Sequence, residues 1–192
     1  MHLEHAADRG QCGALAEHFS DVFGVLTRQY TRGISAAKSD WLIGAELLTR
    51  RVNGRGIRSM KAPGTAYDDR VLGRDPQPAH MSGYVQTHAD DRGVHINCGI
   101  PNHAFYRVAI ALGGNAWEVA GRIWYRALTR ELGPRARFQQ CADATWTAAG
   151  DLYGTGSTLA ATARRMGVTI PTVRSYLTRI RAKWAAIDQP VD

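Results

Sequence analysis

The run Asp90-Asp91-Arg92-Gly93-Val94-His95 puts a lone histidine just after a tight, glycine-containing turn and at the start of an apolar stretch, with an acid five residues before it. Histidine changes charge near neutral pH, so one held beside an acid could donate or accept a proton. Gly93 suits a turn whose backbone needs freedom that a β-carbon would restrict. Taken alone, a histidine beside an apolar helix is more often a satisfied core residue. Glu17 and Asp21 stand four residues apart, which puts them on one face of a helix. That spacing also occurs on many solvated helices. Arg58, in Gly56-Ile57-Arg58-Ser59-Met60, offers a rigid fork of donors that suits a carbonyl better than a lysine would. In isolation it reads as a surface arginine.

The elements that must position these groups are mostly helical. Leu15, Phe19, Val22, Phe23 and Leu26 recur at three- and four-residue steps, which predicts an amphipathic helix from about Gly13 to Tyr30. Trp41 to Leu48 is a short helical piece or an irregular apolar segment. From Asn53 to Arg92 the composition shifts to five glycines through Gly83 and three prolines without a sustained period, which predicts some forty residues of loop. Loops of this length inside a domain are uncommon and usually functional. Helical patterning returns from His95 to Leu112, Trp117 to Leu132 and Arg137 to Tyr153, with Gly113-Gly114 and Gly133-Pro134 as stops. No strand-like alternation persists. The expected fold is mostly α, a helical bundle with one long loop and a short helical tail. Its expected parts are an irregular segment at 1–10, a helical domain at 11–154 and a basic tail at 155–192.

Composition narrows the class. The 192 residues are 44% hydrophobic, enough for a core, and no apolar run approaches the ~20 residues that span a bilayer, so no membrane partner is expected. Cys12, Cys98 and Cys141 are too few and too scattered for a disulfide framework. Met-His-Leu-Glu-His lacks the basic-then-apolar pattern of an export leader.

The stretch from Asp90 to Tyr106 closely resembles the active-site histidine segment of the thermolysin-like neutral zinc metallopeptidases. The segment Gly13-Ala14-Leu15-Ala16-Glu17-His18-Phe19-Ser20-Asp21 resembles that family's zinc-glutamate helix, and Lys61-Ala62-Pro63-Gly64-Thr65-Ala66-Tyr67-Asp68-Asp69 resembles a loop of its protealysin-like branch. The resemblance runs from about Gln11 to Tyr153 and implies the family's C-terminal α-helical domain. It implies that Glu17 is a zinc ligand and that Asp21 orients a zinc-binding histidine. It further implies that Arg58 donates to a substrate carbonyl, and that Asp90 holds His95 for donation to an oxyanion. A peptide or protein substrate and zinc are the implied partner and cofactor.

These enzymes bind zinc through a helix reading H-E-x-x-H, and that motif is absent from the 192 residues. His2-Leu3-Glu4-His5 has the wrong step and does not replace it. A single carboxylate cannot hold a catalytic zinc, so the chain alone is expected to be inactive and to need the family's N-terminal catalytic half, in cis or in trans. Calcium could bind near Asp40 and Glu46, but Arg28 and Ala45 stand where thermolysin has acids. The family implies secretion.

The charge of +7 is concentrated in the tail, because Leu152 to Ile187 holds six arginines and lysines and no acid. Residues 157–184 resemble the helix-turn-helix of LuxR-type regulators, with Pro171 at a helix start. Arg174, Thr178, Arg179 and Lys183 could then meet phosphates or base edges of nucleic acid. The alternatives to a peptidase domain are therefore a non-catalytic pseudopeptidase and a DNA-binding protein.

Overall fold

A computed structural model of the chain describes residues 9–153. The segment 155–192, with Arg174, Thr178, Arg179 and Lys183, and His2 and His5, lie outside the described residues.

Helix α1 (Gly10–Arg32) is the central rod and packs against all the other helices. Its buried stripe includes Leu15, Phe19, Val22 and Leu26, which are the residues whose spacing predicts it. It stops at Gly33 in the left-handed region (φ 61°, ψ 33°), where the amide of Ile34 donates back to the Gln29 carbonyl at 2.9 Å. Helices α2 (Asp90–Asn97) and α3 (Gly99–Leu112) follow almost without a break. Helix α4 (Ala120–Arg126) runs into a π turn (Ala127–Glu131), so the helix expected from Trp117 to Leu132 begins later and changes its winding. Helix α5 (Phe138–Tyr153) closes the bundle. Trp41, Phe105 and Trp124 meet edge-on in the shared core, with ring centroids 6.0 and 4.9 Å apart. At Gly121 a β-carbon would come within 2.8 Å of Leu26, and this is what lets α4 approach α1 closely.

The irregular connection is longer than the sequence suggests, reaching from Gly33 to Ala89. Trp41–Leu48 is not helical. It holds strand β1 (Leu42–Ile43) and a single 3-10 turn. β1 pairs antiparallel with β2 (Arg58–Ser59), and β3 (Asp68–Asp69) pairs with β4 (Gly73–Arg74), short additions to a mostly α fold. Strands of two residues are too short to show alternation in a sequence.

Buried acceptors rather than hydrophobic periodicity order this connection. The Asp75 carboxylate accepts the amides of Gly64, Ala66 and Gln77, each at 3.0 Å. Gln77 reaches the His95 carbonyl at 2.6 Å, and Asn97 closes both backbone bonds of Val85 at 2.9 Å. The loop is thereby tied to the helix that carries His95.

Candidate functional site

Four consecutive residues before the apolar run take left-handed backbone angles: Asp90 (φ 53°), Asp91 (45°), Arg92 (69°) and Gly93 (78°). Only the last is glycine, and each of the others carries a steric cost. The turn folds the Asp90 carboxylate back over the start of the right-handed helix. Its Oδ2 accepts the amides of His95 and Ile96 at 2.9 and 3.2 Å, while Oδ1 lies 2.5 Å from His95 Nδ1. One acid therefore caps the helix and fixes the imidazole. An ionised carboxylate only accepts, so Nδ1 donates and Nε2 is turned toward the open side.

On the other edge of the ring, His95 Nε2 lies 3.4 Å from Glu17 Oε2. Both side chains are partly exposed. One turn along α1, Asp21 faces inward and is buried. Arg58 on β2 clasps it through two parallel bonds, Nε to Oδ2 at 2.8 Å and Nη2 to Oδ1 at 2.6 Å. Burial acts to lower the Arg58 pKa, but the hydrogen bonds and charge of Asp21 outweigh it and the net shift is upward. A third donor, the Asn102 amide on α3, reaches Asp21 Oδ2 at 2.8 Å.

The five residues singled out from the sequence thus fall into two pairings joined by α1: Glu17 lies beside the Asp90–His95 pair of α2, and Asp21, one turn on, is held by Arg58 of β2. Asp21 meets Arg58 and Asn102, while the resemblance anticipates a histidine at that carboxylate. Asn102 was missed as a positioning group. It sits 81 residues from Asp21 in sequence, and only its place in Gly99-Ile100-Pro101-Asn102 could have drawn notice.

Glu17 is the one candidate zinc ligand in this cluster. Among the described residues no group of three His, Cys, Asp or Glu could hold a metal ion, so these residues offer a ligand and not a site. The acids at the expected calcium positions have other partners. Asp40 is held by Arg28 at 2.7 and 2.9 Å, a bond that keeps its carboxyl below the ordinary range, and Glu46 pairs with Arg32. Among the described residues no helix is long and apolar enough to cross a membrane.

The chain as a whole is similar to known proteins. The family profile described as "Thermolysin metallopeptidase, alpha-helical domain" matches residues 7–165. The extracellular metalloprotease of Pectobacterium carotovorum subsp. carotovorum is 61% identical over 118 residues, 62% of this chain and 34% of that protein. Protease PrtS of Photorhabdus sp. (strain Az29) is 49% identical over 146 residues, 74% of this chain and 39% of that one. Among solved structures, the precursor of protealysin, a metalloproteinase from Serratia proteamaculans, superposes with a TM-score of 0.80 at 43% identity. That match covers 94% of this chain and 51% of the precursor. The chain spans little more than a third of the curated relatives it matches.

Proposed function

Since this chain belongs to the thermolysin metallopeptidase family through that α-helical domain, we propose that it forms one wall of the cleft of a zinc metalloendopeptidase and acts on peptide or protein substrates. The observation that supports this reading is that Glu17 lies against the Asp90–His95 pair while Asp21, one turn along the same helix, is held by Arg58. Zinc is expected for the family. The metal would supply activated water, held by Glu17 together with ligands and a general base from outside this sequence, in the same polypeptide or another.

The chain's own residues have separate tasks. Arg58 uses its Nε/Nη2 edge on Asp21 and keeps Nη1 for a substrate carbonyl. His95, oriented by Asp90 through its Nδ1–H, turns Nε2 to the oxyanion that develops as the carbonyl is attacked, and donates to it in the imidazolium form, with a proton on each ring nitrogen. Alone, the 192 residues would not hydrolyse peptides, because they contain no H-E-x-x-H. The extracellular relatives support an exported setting.

The test is to join the chain to the H-E-x-x-H half of a thermolysin-family peptidase and assay cleavage of a peptide. We expect hydrolysis by the joined protein and none by the chain alone. His95→Phe should lower kcat by roughly 10²–10³, the usual effect of losing one oxyanion donor, and Arg58→Lys should mainly raise KM. A folded joined protein that cannot cleave, or a His95→Phe variant that cleaves at the parent rate, would overturn the proposal.

A further inference from the structure

Behind Asp21 lies a chain of buried polar side chains that the catalytic reading does not use. Trp124 Nε1 donates to His18 Nε2 at 2.8 Å. His18 Nδ1 and Asn102 Oδ1 are 2.8 Å apart, and Asn102 Nδ2 reaches Asp21 Oδ2 at 2.8 Å. The Arg58 fork closes the far end. Trp124, His18 and Asn102 are each no more than 1% exposed, so water cannot substitute for any partner. The sequence separations of 106, 84 and 81 residues show three helices, α1, α3 and α4, meeting on this one line.

The direction of the line follows from its ends. An indole nitrogen only donates, so His18 Nε2 must accept. A neutral imidazole with an accepting Nε2 carries its proton on Nδ1, and Nδ1–H then donates to Asn102. The amide oxygen of Asn102 therefore faces His18, and its NH₂ faces the carboxylate. In the other tautomer Asn102 would be free to flip and bring its oxygen against Asp21. That would remove a donor from the carboxylate and loosen the rotamer that holds the arginine.

We propose that His18, locked by Trp124 as the Nδ1–H tautomer, is a positioning residue that acts through Asn102 and Asp21 to aim the Arg58 guanidinium. Its catalytic meaning rests on reading Arg58 as a carbonyl donor, whereas its test does not. The relay explains a histidine buried next to Glu17 and an asparagine buried inside α3. It is also fragile in a defined way, since Trp124→Phe removes the indole N–H and releases the tautomer, while also shrinking a buried ring.

The experiment is side-chain NMR on the full chain labelled with nitrogen-15. Long-range proton–nitrogen spectra should show His18 protonated at Nδ1 alone, and Arg58 Nε–H as one slowly exchanging signal. In Trp124→Phe, the Arg58 Nε–H should exchange roughly tenfold faster while core backbone amides keep their protection. His18→Phe should do the same if it folds; Trp124→Phe and the parent chain keep the test complete if it does not. A proton on His18 Nε2 in the parent, or unchanged Arg58 exchange in a folded Trp124→Phe, would overturn the proposal. Neither result depends on whether the joined protein cleaves peptide.

Discussion

His18 shows what the interior demands of a single residue. Burial pushes its pKa down from 6.5 to about 4, against the raising effects of the Asn102 bond and the Asp21 charge. The sign for stability follows from where protons bind. Between pH 6.5 and 4 the unfolded chain takes up a proton at this residue and the folded chain does not, so stability is complete above about 6.5 and falls as pH drops. The shift corresponds to about 3 kcal/mol across the window. His103, also lowered chiefly by burial, adds in the same direction. Urea unfolding at pH 7 and pH 5 should therefore show a clear loss of stability before the carboxylates titrate. A midpoint that stays level over that interval would mean His18 is charged or exposed. None of this is legible in Glu17-His18-Phe19, where the histidine looks like one more polar residue on a helix. Its neutrality comes from burial among elements that are distant in the chain, with its partners Asn102 and Trp124 lying 84 and 106 residues away.

At the scale of elements, the readable parts were those whose stabilisation is local or periodic. The apolar stripe of α1 predicted it to within three residues, and Gly113-Gly114 and Gly133-Pro134 mark the real ends of α3 and the π turn. The stretch from Asn53 to Arg92 shows no period in the sequence because its order comes from Asp75, Gln77 and Asn97 bonding across sequence gaps. The turn before His95 was half legible. Gly93 announced it, but nothing in Asp90, Asp91 or Arg92 announces a left-handed backbone. Two glycines give the contrast a measurable form. At Gly93 (φ 78°) a β-carbon would meet Asn97 Nδ2 at 2.7 Å and Thr87 at 3.2 Å, so Gly93→Ala should cost about 1–3 kcal/mol. At Gly24, inside α1, a β-carbon meets nothing within 4 Å and φ is ordinary, so Gly24→Ala should add about 0.4–1 kcal/mol. Thermal unfolding should move Tm in opposite directions for the two variants. A Gly93→Ala protein as stable as the parent would show that the left-handed turn is not required.

For the whole molecule, the question is whether the cleft wall and the helical core are one cooperative unit. The buried residues from α1, α3, α4 and α5 form a single cluster that also takes in Trp41 and Met60 from the long connection. Cys98, where α2 meets α3, and Cys141, in α5, are both fully buried, and burial drives both thiols up to about 12. Neither presents a thiolate to a reagent while the fold is intact. Cys12, partly exposed near the start of α1, is the thiol within reach. Cys98 also has Gln77 and the His95 carbonyl at 3.2 Å, so it reports on the junction of loop and site helix. Cys141 reports on helix α5. If the shared cluster makes them one unit, a thiol reagent should modify Cys12 quickly, and Cys98 and Cys141 slowly, at equal rates with the same steep urea dependence. If the left-handed turn and its loop instead open apart from the bundle, Cys98 will react first and with a shallow urea dependence. Mass spectrometry of the modified peptides distinguishes the two. Equal rates would mean that His95 and Arg58 are held in place by the stability of the whole bundle, the rigidity that a preorganised oxyanion donor requires.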